Sequence, residues 1–281
     1  MTVAELKKYF TKELSALYPS VELQSFFSIL SEFFLKWSRL DTVLKAQSEL
    51  SEEKIKSFKK AIARLKEEEP IQYIIGETEF YGLTFKVNQH TLIPRPETEE
   101  LVEWIVQSVS KLDELKILDI GTGSGCIPIA LGTHLDGAII SGLDISSEAL
   151  KVARKNAEAH EVMVDFFQAD VLELDSLPIK YDLIVSNPPY VREIEKREMQ
   201  GNVLKFEPAR ALFVSNENPL MFYKKIAQLA KSHLTAYGFL FFEINEYLSM
   251  EMREMLEEEG FTKIEIKNDL FKRPRLMRCC L

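Results

Sequence analysis

From Pro96 onward the sequence switches repeatedly between short apolar runs and longer stretches of helical periodicity, and this alternation restricts the fold more than any other feature. The apolar runs are KILDI, AIISGLDI, VDFFQA, YDLIVS, GFLFFEI, KIEIK and RLMRCC. The amphipathic stretches include SEALKVARKNAEAH, PLMFYKKIAQLAKSH and YLSMEMREMLEEEG, the last closed by Gly260. Strands separated by helices need crossover connections, so neighbouring strands run parallel and helices cover both faces of the sheet. The last two runs follow each other with no helix between them, which requires one strand to run antiparallel. The expected fold class is therefore α/β, a doubly covered sheet of seven strands with one antiparallel.

The preceding residues read differently. VELQSFFSILSEFFLKW brings Leu23, Phe26, Phe27, Leu30, Phe33, Phe34 and Trp37 round at intervals of three and four, a helix whose apolar stripe should be buried. SEEKIKSFKKAIARLK opens on Ser51 as an N-cap and lines up Ile55, Phe58, Ile62 and Leu65. Its other face, with Lys54, Lys56, Lys59, Lys60 and Arg64, reads as a solvated exterior. ETEFYGLTFKV then alternates on either side of Gly82, the pattern of a hairpin. The chain thus divides into a helical domain over 1–75, a β-hairpin linker over 76–96 and an α/β domain over 97–281.

Charge and rare residues exclude several function classes. With 44 acidic against 35 basic side chains the net charge is −9, which repels backbone phosphates and argues against nucleic acid as the dominant partner. Cys126, Cys279 and Cys280 form neither a disulfide framework nor a zinc-ligand spacing, and His90, His134, His160 and His233 share no ligand spacing, so no metal is expected. The opening MTVAELKKYF lacks the apolar segment of a signal peptide, and no run approaches the roughly 20 apolar residues of a membrane span. A cytoplasmic protein with no membrane association is expected.

KILDIGTGSGC places Gly121, Gly123 and Gly125 directly between a strand and an apolar helix. Alternate glycines allow positive φ and close approach of backbone to a ligand, and the helix N-terminus supplies free N–H groups. A merely tight turn needs one glycine, not three. The dinucleotide fingerprint wants glycine or alanine where Cys126 stands, and Asp119 just before the loop would repel a pyrophosphate. A carboxylate there suits a cation, and S-adenosyl-L-methionine carries both a sulfonium and an ammonium. Asp144, about twenty residues on, can accept from ribose hydroxyls, while Ser146 is available to cap the next helix. Asp170 can accept from an adenine amino group with Val171 against the ring. Asp119, Asp144, Asp170 and Asn187 all lie toward the carboxyl ends of strands, where ligands bind in open α/β sheets.

After the fourth strand comes Asn187-Pro188-Pro189-Tyr190. Two prolines can simply end a strand. Beside a glycine loop they can do more, because neither donates a hydrogen bond, which leaves the carbonyls of Asn187 and Pro188 as rigid acceptors. A planar NH₂ group has two hydrogens to give them, and Tyr190 offers a flat face. Gripping both hydrogens would aim the nitrogen at an activated methyl group without a histidine base.

TLIPRPETEELVEWI, ILDIGTGSGCIPIAL and DLIVSNPPYV together resemble the HemK/PrmC family of release-factor glutamine methyltransferases over 71–275. The resemblance implies a Rossmann-like class I S-adenosylmethionine-dependent methyltransferase sheet. It also implies methyl transfer to the side-chain amide nitrogen of the glutamine in the Gly-Gly-Gln motif of class 1 peptide-chain release factors. Carried over by position, Asp119, Gly121, Thr122, Gly123, Ser124, Gly125, Asp144, Asp170, Val171 and Asn187 bind the cofactor. Asn187, Pro188, Pro189 and Tyr190 grip the glutamine, with Asn187, Pro188 and Tyr190 as the catalytic set. Arg95 and Glu97 shape the rim for the substrate, and the N-terminal helices dock the release factor. FEPARAL also fits the family; VSNENPLMFY and Asn245 depart from its glycine-rich pattern. The alternative reading is an adenine amino-group methyltransferase acting on DNA or RNA, since the same acceptors suit any planar NH₂.

Overall fold

In the computed structural model, which describes residues 1–109 and 114–281, the chain forms two compact units. One comprises Met1–Gly76 with Gln200–Phe206, the other Glu77–Met199 with Glu207–Leu281. In chain order the elements are α1 (Val3–Leu14), α2 (Ser20–Leu35), α3 (Arg39–Leu44), α4 (Glu52–Lys66), α5 (Ile71–Ile75), β1 (Glu77–Phe80), β2 (Leu83–Lys86) and α6 (Pro96–Val109). Next come β3 (Lys116–Ile120), α7 (Cys126–His134), β4 (Ile139–Asp144), α8 (Ser147–Ala159), β5 (Val164–Gln168), β6 (Tyr181–Ser186) and β7 (Val191–Arg192). The rest are α9 (Gly201–Phe206), α10 (Ala209–Leu212), β8 (Phe213–Val214), α11 (Met221–His233), β9 (Leu234–Glu243), α12 (Ser249–Glu258), β10 (Thr262–Asn268) and β11 (Pro274–Cys280). No helix among the described residues is long and apolar enough to cross a membrane.

The first unit is built on α1, α2 and α4, whose buried residues Leu6, Phe10, Leu23, Phe27, Leu30, Phe58, Ile62 and Leu65 share one core. Thr2 opens α1 with a reciprocal capping box to Glu5, and the Ser51 hydroxyl accepts from Lys54 N to open α4. The expected α2 stripe is only partly enclosed: Leu23, Phe27 and Leu30 are buried, whereas Phe26, Phe33, Phe34 and Trp37 are half-buried. Six large side chains on one helix, with Trp37 just past its end, span a wider arc than the few neighbouring helices can cover. The basic face of α4 is also less idle than expected. Lys54 Nζ donates to Phe34 O, and Arg64 pairs with Glu69 and reaches the Tyr73 and Ile74 carbonyls.

The second unit holds the seven-stranded sheet, in the order β10-β11-β9-β6-β3-β4-β5. β9, β6, β3, β4 and β5 are mutually parallel, and β11 runs antiparallel to both of its neighbours, as the absent helix before it requires. One face packs α6, α7 and α8 over Ile117, Leu183, Val185 and Phe241; the other packs α11 and α12 over Leu118, Ile184, Leu240 and Phe242. The β1–β2 hairpin turns through Tyr81 and Gly82, both at positive φ, the geometry that matches strand twist. It is pinned to α8 by Asn156, which accepts from Lys86 N and donates to the Lys86 and Ser124 carbonyls.

Candidate active site

Strand order reverses between β3 and β6, because β3 continues through β4 to β5 while β6 continues to β9. A crevice opens at such a switch point over the carboxyl ends of the strands. It contains a cavity of about 430 Å³ lined by Gly121, Gly123, Asp144, Asp170, Val171, Asn187, Pro188 and Pro189, among others.

The three glycines have different tasks. All sit at positive φ (81°, 54° and 81°). A Cβ on Gly121 would meet only Asn187 O at 3.9 Å and one on Gly123 nothing within 4 Å, so both keep the cavity open. A Cβ on Gly125 would press against Ile129 and Ala153 at 3.0 and 3.2 Å, so this glycine lets the α7 start pack on α8. The turn is held from below by Gly121 N and Thr122 N, which both donate to Leu143 O.

Asp144 anchors the loop. Its Oδ2 accepts from Gly123 N and its Oδ1 from Ser146 N, each at 2.8 Å, while the Ser146 hydroxyl caps α8 through Ala149 N. Burial raises the Asp144 pKa, and those two amides with nearby Arg210 oppose the rise. Each oxygen keeps a lone pair for a hydroxyl in the cavity. Asp170 accepts from Leu172 N through Oδ1, with the buried Val171 next to it in the chain.

Asp119 is not at the rim. It lies on β3 under the glycine turn, 1% exposed, and neither carboxylate oxygen receives a hydrogen bond; the hydroxyls of Thr122 and Ser124 are likewise buried and unpartnered. Burial pushes its pKa up to about 7; the Thr122 hydroxyl, close by but outside hydrogen-bond geometry, opposes the rise, and Asp144 adds to it. Cys126, next along, is buried and its thiol is pushed up to about 12, which makes it inert at neutral pH.

The Asn187–Tyr190 turn leaves β6 beside Gly121. Among the described residues nothing donates to the Asn187 or Pro188 carbonyl, as two consecutive prolines predict. The Asn187 side chain points its Nδ2 at Thr98 Oγ1, 3.2 Å away. Thr98 in turn donates to Glu243 Oε2 at 2.6 Å, and Tyr190 Oη donates to Glu243 Oε1 at 2.9 Å. Tyr223 Oη donates to the Glu243 carbonyl at 3.0 Å. Burial raises the Glu243 pKa against these two side-chain donors and Arg275, and burial followed by the charge of Glu243 lifts Tyr190 well above the usual phenol value.

Several expected site residues do something other than line the cavity. Tyr190 does not present its ring there; its hydroxyl is spent on Glu243 and its ring lies beside the Arg275 guanidinium. Arg95 pairs with Glu207 at 2.5 Å, and Glu207 also accepts from Ile93 N, so the guanidinium is occupied by the protein itself. Glu97 is half-buried near Tyr190 and Glu243 and is likewise absent from the lining. Thr98 and Glu243 were not singled out from sequence, though the first lies within RPETEEL and the second ends GFLFFEI. Asn245, the departure from the family's glycine, is buried and donates to Tyr190 O at 3.0 Å and Glu195 Oε2 at 2.9 Å, which ties down the segment after the turn.

Comparison with known proteins adds to this geometry. Residues 98–216 match the methyltransferase small domain, and 5–76 match the PrmC N-terminal domain. A structure of the human Mettl16 catalytic domain with a MAT2A 3′UTR hairpin superposes with a TM-score of 0.56 at 16% identity, covering 84% of each chain, which shows a shared fold. The release factor glutamine methyltransferase of Bacteroides thetaiotaomicron is 42% identical over 96% of both chains. That of Flavobacterium psychrophilum is 44% identical over 99% of both. With likeness of this extent running through both the helical unit and the sheet that carries the cavity, the chain belongs to the release factor glutamine methyltransferase family.

Proposed function

We propose that the protein methylates the side-chain amide nitrogen of the glutamine in the Gly-Gly-Gln motif of class 1 peptide-chain release factors, with S-adenosyl-L-methionine as donor. One observation carries this reading. With Asn187 Nδ2 bound to Thr98, Oδ1 is the end of the amide left to accept, and among the described residues the Pro188 carbonyl has no donor, so two acceptors belong to adjacent residues that line the cavity. A primary carboxamide has two N–H hydrogens and matches such a pair.

The residues fit S-adenosylmethionine. A buried carboxylate with no bond from the protein, at Asp119, suits a cationic ligand, and the open space over Gly121 and Gly123 admits a close approach. The Asp144 carboxylate would hold ribose hydroxyls, and Asp170 with Val171 the adenine. When bound, the cofactor supplies a methyl group activated by the sulfonium.

The rest is positioning by the chain. An amide nitrogen is a weak nucleophile because its lone pair is delocalised into the carbonyl. Acceptors at Asn187 Oδ1 and Pro188 O hold both hydrogens, fix the direction of the lone pair and stabilise the positive charge that grows on nitrogen, and one of the two held hydrogens then leaves as a proton to solvent, which gives the neutral N-methyl amide. Their rigidity comes from the prolines, which fix φ, and from Thr98, which fixes the Asn187 amide. Orientation of this kind can contribute up to roughly 7–11 kcal/mol. A cavity of this size selects a side chain and not a whole protein, so we assign recognition of the release factor to the N-terminal helices. A cytoplasmic location follows from that substrate.

The test is incubation of the purified protein with labelled methyl donor and a release factor, rRNA or DNA, followed by mass spectrometry of the product. A single methyl on the Gly-Gly-Gln glutamine is expected; label in adenine and none in the release factor would replace this reading with the nucleic-acid one.

A further inference from the structure

We infer that Glu243, acting through Thr98, decides which end of the Asn187 carboxamide faces the cavity, and is thereby a positioning residue for the methyl-accepting amide. The inference deepens the function proposed above and rests on it for the identity of the accepting group. A carboxamide is two-ended: its oxygen only accepts and its NH₂ only donates. To hold a substrate NH₂, Asn187 has to present the oxygen; presenting its own NH₂ would set donor against donor. The two orientations have nearly the same shape, so packing hardly distinguishes them.

The discrimination comes from counting hydrogens along the chain of contacts. Glu243 accepts at both oxygens, from Tyr190 Oη at Oε1 and, at 2.6 Å, from the Thr98 hydroxyl at Oε2, so Thr98 is the donor of that pair. That hydroxyl has one hydrogen. Having spent it on Glu243, Thr98 Oγ1 can only accept, and the neighbour 3.2 Å away must then be the Asn187 NH₂. The polarity of a carboxylate at the end of β9 is in this way passed, through a hydroxyl in the first turn of α6, to the turn that follows β6. Thr98 and Glu243 are 3% and 1% exposed, so bulk water cannot substitute at either point. The other Glu243 oxygen takes the Tyr190 hydroxyl, so one carboxylate holds both ends of the four-residue turn. Sheet register makes this possible: Phe242 is paired with Ser186, which puts Glu243 alongside Asn187.

A purely structural role, joining α6 to β9, makes a different prediction for Glu243→Gln. Glutamine keeps the shape and can still bond Thr98 and Tyr190, but its NH₂ can donate to Thr98. The Thr98 hydrogen is then directed at Asn187 and calls for Oδ1 on that side. The substitution is expected to lower kcat for release-factor methylation roughly 10- to 100-fold, the range for misoriented supporting groups. The dissociation constant for S-adenosylmethionine should stay within about twofold, a negligible difference in free energy. Thr98→Val should lose a similar factor, and Thr98→Ser, which keeps the hydroxyl, should recover most of it. The double variant Glu243→Gln/Thr98→Val should lose no more than the worse single one, because both cut the same chain. Without using activity, NMR of the Asn187 side-chain NH₂ in the full-length protein should show slow hydrogen exchange in the wild type and faster exchange in Glu243→Gln. Unchanged exchange together with kcat within about twofold of wild type would overturn the inference, as would equal activity in Thr98→Val and Thr98→Ser. Were the wild type to methylate no glutamine, the functional reading would fall, while the exchange measurement would still decide the orientation of Asn187.

Discussion

Replacing Asp119 by Asn removes a charge that the ligand-free protein can hardly afford at neutral pH. In the folded state its pKa is pushed up to about 7 from an ordinary 3.8, and burial is the main cause. A raised carboxylate pKa means that the folded protein keeps a proton the unfolded chain has released. Folding stability attributable to Asp119 is therefore fully present below about pH 4, and falls as pH rises until the folded state also ionises near 7. The rise from 3.8 to about 7 corresponds to roughly 4 kcal/mol in all, of which about 2–3 kcal/mol falls between pH 5 and 8. Other groups titrate over the same range, so the quantity to measure is the difference between wild type and Asp119→Asn at each pH. Chemical denaturation in a Trp37→Phe background lets the fluorescence report Trp104, in the same unit as Asp119. The wild type should lose about 2–3 kcal/mol relative to the variant from pH 5 to pH 8. Affinity of the wild type for S-adenosylmethionine should weaken on acidification below 7, and the variant should lack that dependence. A difference that stays flat within about 0.5 kcal/mol across the range would refute the assignment of a strained, ligand-ready carboxylate.

Four further outcomes follow from the same geometry. Asn187→Ala should act mainly on kcat and Asp144→Ala mainly on the cofactor KM; identical kinetic changes would show that the two do not divide the work as proposed. Gly125→Ala should destabilise by about 1–3 kcal/mol, because its methyl meets Ile129 and Ala153 at a positive φ, whereas Gly123→Ala should cost only about 1 kcal/mol; thermal melts compare them. Arg95→Ala leaves Glu207 buried without its partner and should cost about 2 kcal/mol, below the ~3–5 of a fully buried pair because the arginine side chain is 32% exposed; denaturant titration reads this. Deletion of 1–70 should abolish release-factor methylation and spare S-adenosylmethionine affinity in calorimetry; wild-type activity would remove docking from the N-terminal helices.

The sheet was legible because its strands are continuous apolar runs between turn residues, and YDLIVS matches β6 residue for residue. The glycine loop and the Asn-Pro-Pro-Tyr turn were legible because their chemistry is carried by neighbours in sequence. What escaped is nonlocal. Thr98 and Glu243 are 145 residues apart and meet only when α6 settles on β9. A lone threonine in a helix start and a lone glutamate ending an apolar run carry no signal of each other. Tyr190 was expected to show its ring to the substrate, but the same buried glutamate captures its hydroxyl. Arg95 was expected at the rim, and Glu207, far along the chain, neutralises it first. Asp119 was read as a strand-end carboxylate, whereas the turn that follows folds over it. In α2 the periodicity was right and the enclosure overestimated, since sequence spacing gives the direction of a stripe and not the size of what covers it.

The insertion of β11 between β9 and β10 has a consequence for how the molecule is made. β11 is translated after every strand it joins, so during synthesis β10 has no seat beside β9 and the nascent sheet ends in an open edge at β9. That edge strand ends in Glu243, which accepts the Tyr190 hydroxyl from the Asn187–Tyr190 turn. Until the stretch from Pro274 is free to pair with β9, Glu243 lacks the strand partner that Leu276 provides, so completion of the sheet around it waits for β11.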